Sequence, residues 1–416
     1  MRNFRKGSFL LQLFVVFALP GIAPAQTYEY PYDIDQYDFV RYDLNRILFF
    51  SDSSSFMRMF GEFDRLLQRG EGKLSVVHIG GSHLQADIYT DRLRKRLQTF
   101  QPGLNGGRGF IFPYRVARTT NPTNFKVYYS GKWTACRNVE EDRSCKLGLS
   151  GISVTTFDPG ASVTFRLPEN QPVDYDFNRI MVFFEEDSLS YDIKIEANAV
   201  VKELPAEGTK GIKVYRLDRY VDSVKIKFGQ EDSLQNRFTL YGVSLQTDDP
   251  GIVYHSVGVN GAKVSSFMRC QLLEDHLKAL HPQLVILSLG TNDGYTRYFQ
   301  PELFRSAYDS LINRIRLSVP DAAILLTVPN DSYLYRRFMN RNTEEIEKAI
   351  FELAKAHNAG VWDFYGVMGG LNSIIVWQHY GLAKRDRIHF TGRGYRLQGD
   401  LFFNALLQAY DDYLDG

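Results

Sequence analysis

Cysteine is scarce in this chain, with three in 416 residues. No CxxC pair and no HExxH occurs, and no metal-ligand spacing stands out, so zinc sites and dithiol redox centres are not indicated. An excess of one charge is also missing. The 49 Lys and Arg against 48 Asp and Glu leave a net charge of +1, spread along the chain, which argues against a nucleic-acid footprint. Long apolar runs are absent too: Phe9 to Ala18 is short for a bilayer-crossing helix of about 20 residues. Neither an internal repeat nor a low-complexity tract is present. What remains, 44% apolar and 23% charged, is the balance of an ordinary soluble globular protein. Its length exceeds one ordinary domain and implies two folded units plus processing segments.

Several features are positively present. Arg2, Arg5 and Lys6 precede the apolar run, Pro20 and Gly21 break it, and Ala23-Pro24-Ala25 fits small-x-small cleavage before Gln26. Residues 1–25 therefore read as a secretory signal peptide, and the mature protein is expected to be periplasmic or secreted, with no membrane span left after cleavage. No Cys follows the apolar run, which argues against a lipoprotein anchor. In an oxidising compartment Cys136 and Cys145, close together in one segment, are candidates for a disulfide. Cys270, in an amphipathic helical pattern, is expected to be a buried free thiol. Aromatic residues make up 14%, with 25 Tyr and 30 Phe. That suits β-rich packing and sugar-stacking surfaces alike.

Periodicity divides the mature chain. Residues 26–72 read as an arm followed by a helix, whose Phe56, Met59, Phe60, Phe63 and Leu67 share a face. Leu74 to Ile79 is a short apolar run ended by Gly80-Gly81, a buried strand, and Leu84 to Phe100 returns to helical spacing. From 109 to 250 short β-prone runs are separated by Gly, Pro, Asp and Asn turns, with no convincing helix between them. This predicts an inserted β-sandwich. After Gly251 strand candidates at 252–255, 284–289, 322–328 and 360–363 alternate with helical stretches at 264–280, 301–318, 343–357 and 392–413. The expected fold is α/β: a five-stranded, doubly wound parallel sheet, built from residues 73–108 and 251–416.

In such a sheet ligands sit beyond the carboxyl ends of the strands. Four segments put polar residues there: Gly80-Gly81-Ser82-His83, Gly258-Val-Asn-Gly261, Gly290-Thr-Asn-Asp293 and Asp386-Arg-Ile-His389. Their chemistry suits acyl transfer. A serine hydroxyl is a weak nucleophile and needs a base, for which His389 is the candidate, with Asp386 to hold its tautomer. The Ser82 and Gly261 N–H groups and the Asn292 amide are candidate oxyanion donors. Singly, each motif has a plainer reading as a turn, a cap or a surface ion pair. Together, in this order and at one edge, they point to a site.

The constellation resembles the SGNH (GDSL-like) hydrolase family, over about residues 73–109 and 251–416. The four blocks named for Ser, Gly, Asn and His are met by Ser82, Gly261, Asn292 and His389, with the DxxH tail at Asp386. The strings Gly80-Gly-Ser-His-Leu-Gln-Ala-Asp87 and His389-Phe-Thr-Gly-Arg-Gly-Tyr395 look closest to bacterial peptidoglycan O-acetylesterases. Those enzymes carry a carbohydrate-binding-module-like β-sandwich between the Ser and Gly blocks, where this chain has its β-rich segment. The resemblance implies a flavodoxin-like sheet. It also implies a carbohydrate O-acetylesterase that works through an acyl-enzyme on Ser82 without cofactor or metal, on an O-acetylated glycan such as peptidoglycan. A glycan O-acyltransferase with the same triad, or a non-catalytic glycan-binding cell-surface protein, are the alternatives. One departure is local: the family usually has Asp before the nucleophile, and this chain has Gly81.

Overall fold

The computed structural model describes residues 32–416 except 51, 143–144, 170–172 and 206–209. The stretch read as a signal peptide, residues 1–25, lies outside the described residues, as does the start of the arm. Among the described residues no helix is long and apolar enough to cross a membrane.

The central sheet has six strands, in the order Ile47–Phe49, Gly360–Asp363, Ala323–Val328, Leu284–Ser288, Lys73–Gly80, Gly251–Gly258. Five are parallel, and Ile47–Phe49 runs antiparallel along the edge of Gly360–Asp363. The expectation of five strands is therefore corrected to six. The extra strand is three residues long, too short to show a period, and lies ahead of the helix in the 26–72 stretch. Only its tertiary partner makes it a strand.

Alternate residues of the parallel strands face opposite sides. Val77, Ile79, Val285, Leu287, Ile324 and Leu326 pack with the helices Leu273–Leu280, Pro301–Ser318 and Asn342–His357. Val76, Leu284, Ile286, Ala323 and Leu325 pack with Ser54–Arg69, Tyr89–Thr99 and Gly392–Leu414. Burial on both faces is why these strands read as unbroken apolar runs. Two helical stretches are each divided in the structure. The first becomes Ser82–Gln85 and Tyr89–Thr99, broken at Asp87, whose φ is +47°. The second becomes Val264–Met268 and Leu273–Leu280, with Cys270 buried and unpaired in the break.

The segment from Gly109 to Gln246 folds into antiparallel sheets of seven and four strands. They meet through Phe228 of one and Phe238 of the other, whose ring centroids are 4.1 Å apart. Cys136 and Cys145 are joined by a disulfide beside the seven-stranded sheet.

A buried charge cluster at the end of the 73–108 stretch holds this segment through Asn124. The Asp87 carboxylate accepts from Arg94 at 2.8 Å, from Arg108, from the Thr90 hydroxyl and from the Asn124 amide at 2.8 Å. Arg94 also pairs with Asp91 at 2.8 Å. Asp87, Arg94 and Arg108 are all almost wholly buried. Burial opposes the Asp87 charge, but Arg94 and Arg108, helped by Thr90 and Asn124, outweigh it and hold the carboxyl well below its ordinary value. A carboxyl depressed in the folded state contributes stability above its unfolded value of about 4, and that contribution is lost as pH falls further. Asp87→Asn leaves two buried guanidinium groups short of counter-charge and is expected to cost about 3–5 kcal/mol at neutral pH. Urea denaturation should show that gap, narrowing progressively below about pH 4. Equal midpoints for variant and wild type at pH 7 would remove the clamp from the account.

Candidate active site

Parallel pairing sets the level of the site. Gly80 faces Gly258 on one side and Ser288 on the other, so the loops carrying Ser82, Gly261 and Asn292 leave the sheet together. The fourth segment reaches the same edge from the far end of the chain. It precedes the helix Gly392–Leu414, whose first turn is capped by the Thr391 hydroxyl accepting from Gly394 N–H.

The structure brings the sequence-expected triad into one hydrogen-bonded line. Ser82 Oγ lies 2.9 Å from His389 Nε2, and His389 Nδ1 lies 3.0 Å from Asp386 Oδ2. Asp386 Oδ1 also accepts the N–H groups of Ile388 and His389, both at 3.0 Å. Burial works against the Asp386 charge, yet the His389 N–H and ring, with the Ile388 N–H, outweigh it and keep the carboxyl below its ordinary value. An ionised Asp386 selects the imidazole tautomer with its proton on Nδ1, leaving the Nε2 lone pair for the serine proton. The turn itself is braced. Arg387 sits at φ +57°, its C=O accepts from Tyr333 N–H at 2.9 Å, and the Ile388 C=O accepts from the Asn330 amide at 3.0 Å.

Donors for a developing oxyanion surround the serine. Ser82 opens a short helix, so its N–H is among those without an intrahelical acceptor. Gly261 has φ +82°, a left-handed conformation that glycine adopts without the strain a side chain would add. The Asn292 amide gives one proton to Ala262 C=O at 3.0 Å, which leaves the other. Next to it, the Asp293 carboxyl accepts from Val264 N–H at 3.1 Å and ties the Asn292 loop to the helix after Gly261. Burial pushes that carboxyl up to about 6. Ser82, Gly261, Asn292 and His389 line one cleft of about 480 Å³, with Thr120, Tyr295, Lys384 and Ile388 among its walls.

Two residues of the site carry no signal of their own in the sequence. His83, buried, stacks on the His389 ring with centroids 5.0 Å apart and 30° between planes, and its Nδ1 meets the Tyr395 hydroxyl at 3.1 Å. Burial first, and the neighbouring His389 second, push it down to about 3, so it is neutral and adds no repulsion when His389 takes a proton. Gln85 links three parts. Its amide donates to Thr119 Oγ1 and Thr120 C=O at 3.0 and 2.8 Å, and its carbonyl accepts from Asn260 N–H at 2.7 Å. Both residues fall inside the Gly80 to Asp87 string, but a lone His or Gln after a serine has no pattern to mark it.

The structure also bears on Gly81. Its φ is −95°, so glycine is not needed for conformation. A Cβ there would stand 3.0 Å from the Asn292 amide nitrogen, so a side chain presses on that amide. Gly81→Ala is expected to lower kcat about ten-fold, since small displacements of a reacting group are costly, with the melting temperature little changed. Unaltered steady-state kinetics in Gly81→Ala would show that Asn292 tolerates the contact.

Residues 222–397 match the model of the GDSL-like lipase/acylhydrolase family, a stretch that holds Gly261, Asn292, Asp386 and His389 and begins after Ser82. Over that stretch the chain is similar to GDSL-like lipases and acylhydrolases. Among solved structures, a chain described as "Peptidoglycan O-acetylesterase in action, 5 min" superposes with a TM-score of 0.72 at 22% identity, covering 88% of this chain and 99% of its own. A catalytic mutant of an acetylxylan esterase from Geobacillus stearothermophilus matches at 19% identity over 38% of this chain and 73% of its own, TM-score 0.31. A lipase/acylhydrolase from Enterococcus faecalis matches at 21% over 39% and 78%, TM-score 0.30. No curated protein matches the chain.

Proposed function

We propose that this protein is an exported esterase that removes O-acetyl groups from an extracytoplasmic glycan, peptidoglycan first, through an acyl-enzyme on Ser82. The observation that carries the reading is the line Asp386–His389–Ser82 opening into a cleft lined by Gly261 and Asn292. Ser82 Oγ bonds to the acetyl carbonyl carbon while its proton passes to His389 Nε2. Negative charge on the carbonyl oxygen is met by the N–H groups of Ser82 and Gly261 and the Asn292 amide. Collapse breaks the bond to the sugar oxygen, which takes the His389 proton. Water, deprotonated by His389, then attacks the acetyl-Ser82 ester and releases acetate. Asp386 keeps the imidazole oriented throughout and offsets its positive charge.

The glycan part of the reading is supported by the likeness, over nearly the whole chain, to a structure described as a peptidoglycan O-acetylesterase. The inserted segment is read as carbohydrate-binding-module-like, a role suited to Thr120 standing in the cleft wall. Export rests on the pattern of residues 1–25.

Acetate release from O-acetylated peptidoglycan and from acetylated xylan tests the reading. Ser82→Ala and His389→Ala should abolish release, and Asp386→Asn should lower kcat about 10⁴-fold by losing the tautomer. Asn292→Ala should lower kcat roughly 10²–10³-fold with little change in KM. Wild-type rates in folded His389→Ala would overturn the triad, and release from xylan alone would overturn peptidoglycan as substrate.

A further inference from the structure

The outer rim of the cleft is built from side chains that acyl transfer does not use. Past Asn292 the chain runs through Tyr295, which lines the cleft, to the exposed Arg297 and Tyr298. Beside it stands a hairpin in which Tyr333–Leu334 pairs with Phe338–Met339. Tyr335 N–H donates to the Tyr295 hydroxyl at 3.0 Å, and their rings are 5.7 Å apart. The hairpin is also fastened to the catalytic turn. Tyr333 N–H donates to Arg387 C=O at 2.9 Å, and the Arg387 guanidinium lies 4.9 Å from the Tyr333 ring centroid and donates to Arg336 C=O at 3.0 Å.

Stability alone does not account for this hairpin. Tyr335 and Arg336 have φ of +52° and +63°, consecutive left-handed positions where hairpin turns favour Asn and Gly. Their apolar surface is not hidden either: Tyr335 and Phe338 are each 52% exposed and Tyr298 is 85% exposed. The Arg297 guanidinium sits 5.5 Å from the centroids of both the Tyr335 and Phe338 rings. A strained backbone that holds aromatic faces to solvent beside a catalytic cleft is better explained by a ligand than by folding.

Charge says what kind of ligand. Lys384 lines the cleft, Arg297, Arg336 and Arg387 stand on the hairpin and turn beside it, and Arg337 and Arg385 are their chain neighbours; among the described residues none of the six has a carboxylate within 4 Å. Further along the chain, Arg341 does reach Glu344, at 3.9 Å. Six such cations are a marked concentration in a chain of net charge +1. Guanidinium forks match carboxylates in plane, and exposed aromatic faces suit the apolar faces of sugar rings.

We propose that this rim docks a carboxylate-bearing glycan strand, its sugar faces on Tyr335 and Phe338 and its carboxylates on the arginines, so that acetyl groups on anionic polysaccharide are preferred over those on neutral polysaccharide. The proposal rests on the esterase reading for its catalytic consequence but not for binding. Two kinds of measurement separate the two. The first compares kcat/KM on acetylated polygalacturonate, acetylated glucomannan, which is neutral, and p-nitrophenyl acetate. An Arg336→Gln/Arg337→Gln variant should lower the ratio of polygalacturonate to small-ester kcat/KM roughly five-fold, and added NaCl should lower that ratio in the wild type. Tyr335→Gly should raise Tm by relieving the left-handed turn, yet lower the same ratio about ten-fold by removing a stacking face. Equal losses on all three substrates would make these residues structural and overturn the proposal.

The second measurement is retardation of the wild-type protein in gels containing de-esterified polygalacturonate, which needs no catalysis. Retardation that weakens in the double arginine variant supports the rim, even if no substrate releases acetate and the esterase reading fails. Acetate release that depends on Ser82, with neither retardation nor anionic preference, overturns the rim and leaves the esterase standing. Tighter binding to inorganic polyphosphate than to polygalacturonate would likewise overturn a carboxylate-directed site.

Discussion

Parallel register at Gly80 is the constraint from which the rest of this molecule follows. Its neighbours Gly258 and Ser288 end their strands level with it, so the loops carrying Ser82, Gly261 and Asn292 leave the sheet at one edge. Parallel strands cannot be joined by tight turns and need long crossovers. The residues that meet at this edge are therefore distant in the chain, with 307 positions separating Ser82 from His389. A crossover can lengthen without moving the strand ends it connects. The one between Lys73–Gly80 and Gly251–Gly258 holds the whole two-sheet insert.

An insert attached in this way could hang loosely, but hydrogen bonds at its near end prevent it. Asn124, at the insert's near end, and Arg108, just before it, reach the Asp87 carboxylate, which sits in a left-handed break just after the short helix that Ser82 opens. Gln85, two residues earlier, holds Thr119 and Thr120 on one side and the Gly261 loop on the other. Buried ions are costly unless fully paired, and one displaced member would leave the others unsatisfied. The network therefore tolerates little change in how the insert sits on the catalytic edge. The cleft then has unlike walls: Thr120 from the insert, and opposite in character, Tyr295 and the cationic hairpin that braces the Asp386 turn.

How far this was legible follows from the range of each interaction. The five parallel strands showed as apolar runs because both faces of each are buried, a local property. Ser82, Gly261, Asn292, Asp386 and His389 could be singled out because each follows a strand end or precedes a helix, where the chemistry of the fold concentrates. The edge strand Ile47–Phe49 was not visible, being too short for a period and dependent on Gly360–Asp363 for its pairing. Nor were the helix breaks at Asp87 and around Cys270, since helical spacing persists across a break when both halves bury the same face.

By itself, then, the sequence determined the α/β class, the place of the β-rich insert, the two cysteines that lie near one another and the residue types of the Ser82–His389–Asp386 line, because each leaves a trace within a few positions of itself. Only the tertiary structure decided that His83 stacks on His389, that Asp87 lies between two buried arginines, and that Arg297 stands over the hairpin rings beside the cleft. In a linear string a buried charge and a solvated one are the same letter. What distinguishes them is the solvent and the partners each finds once residues hundreds of positions apart are brought together.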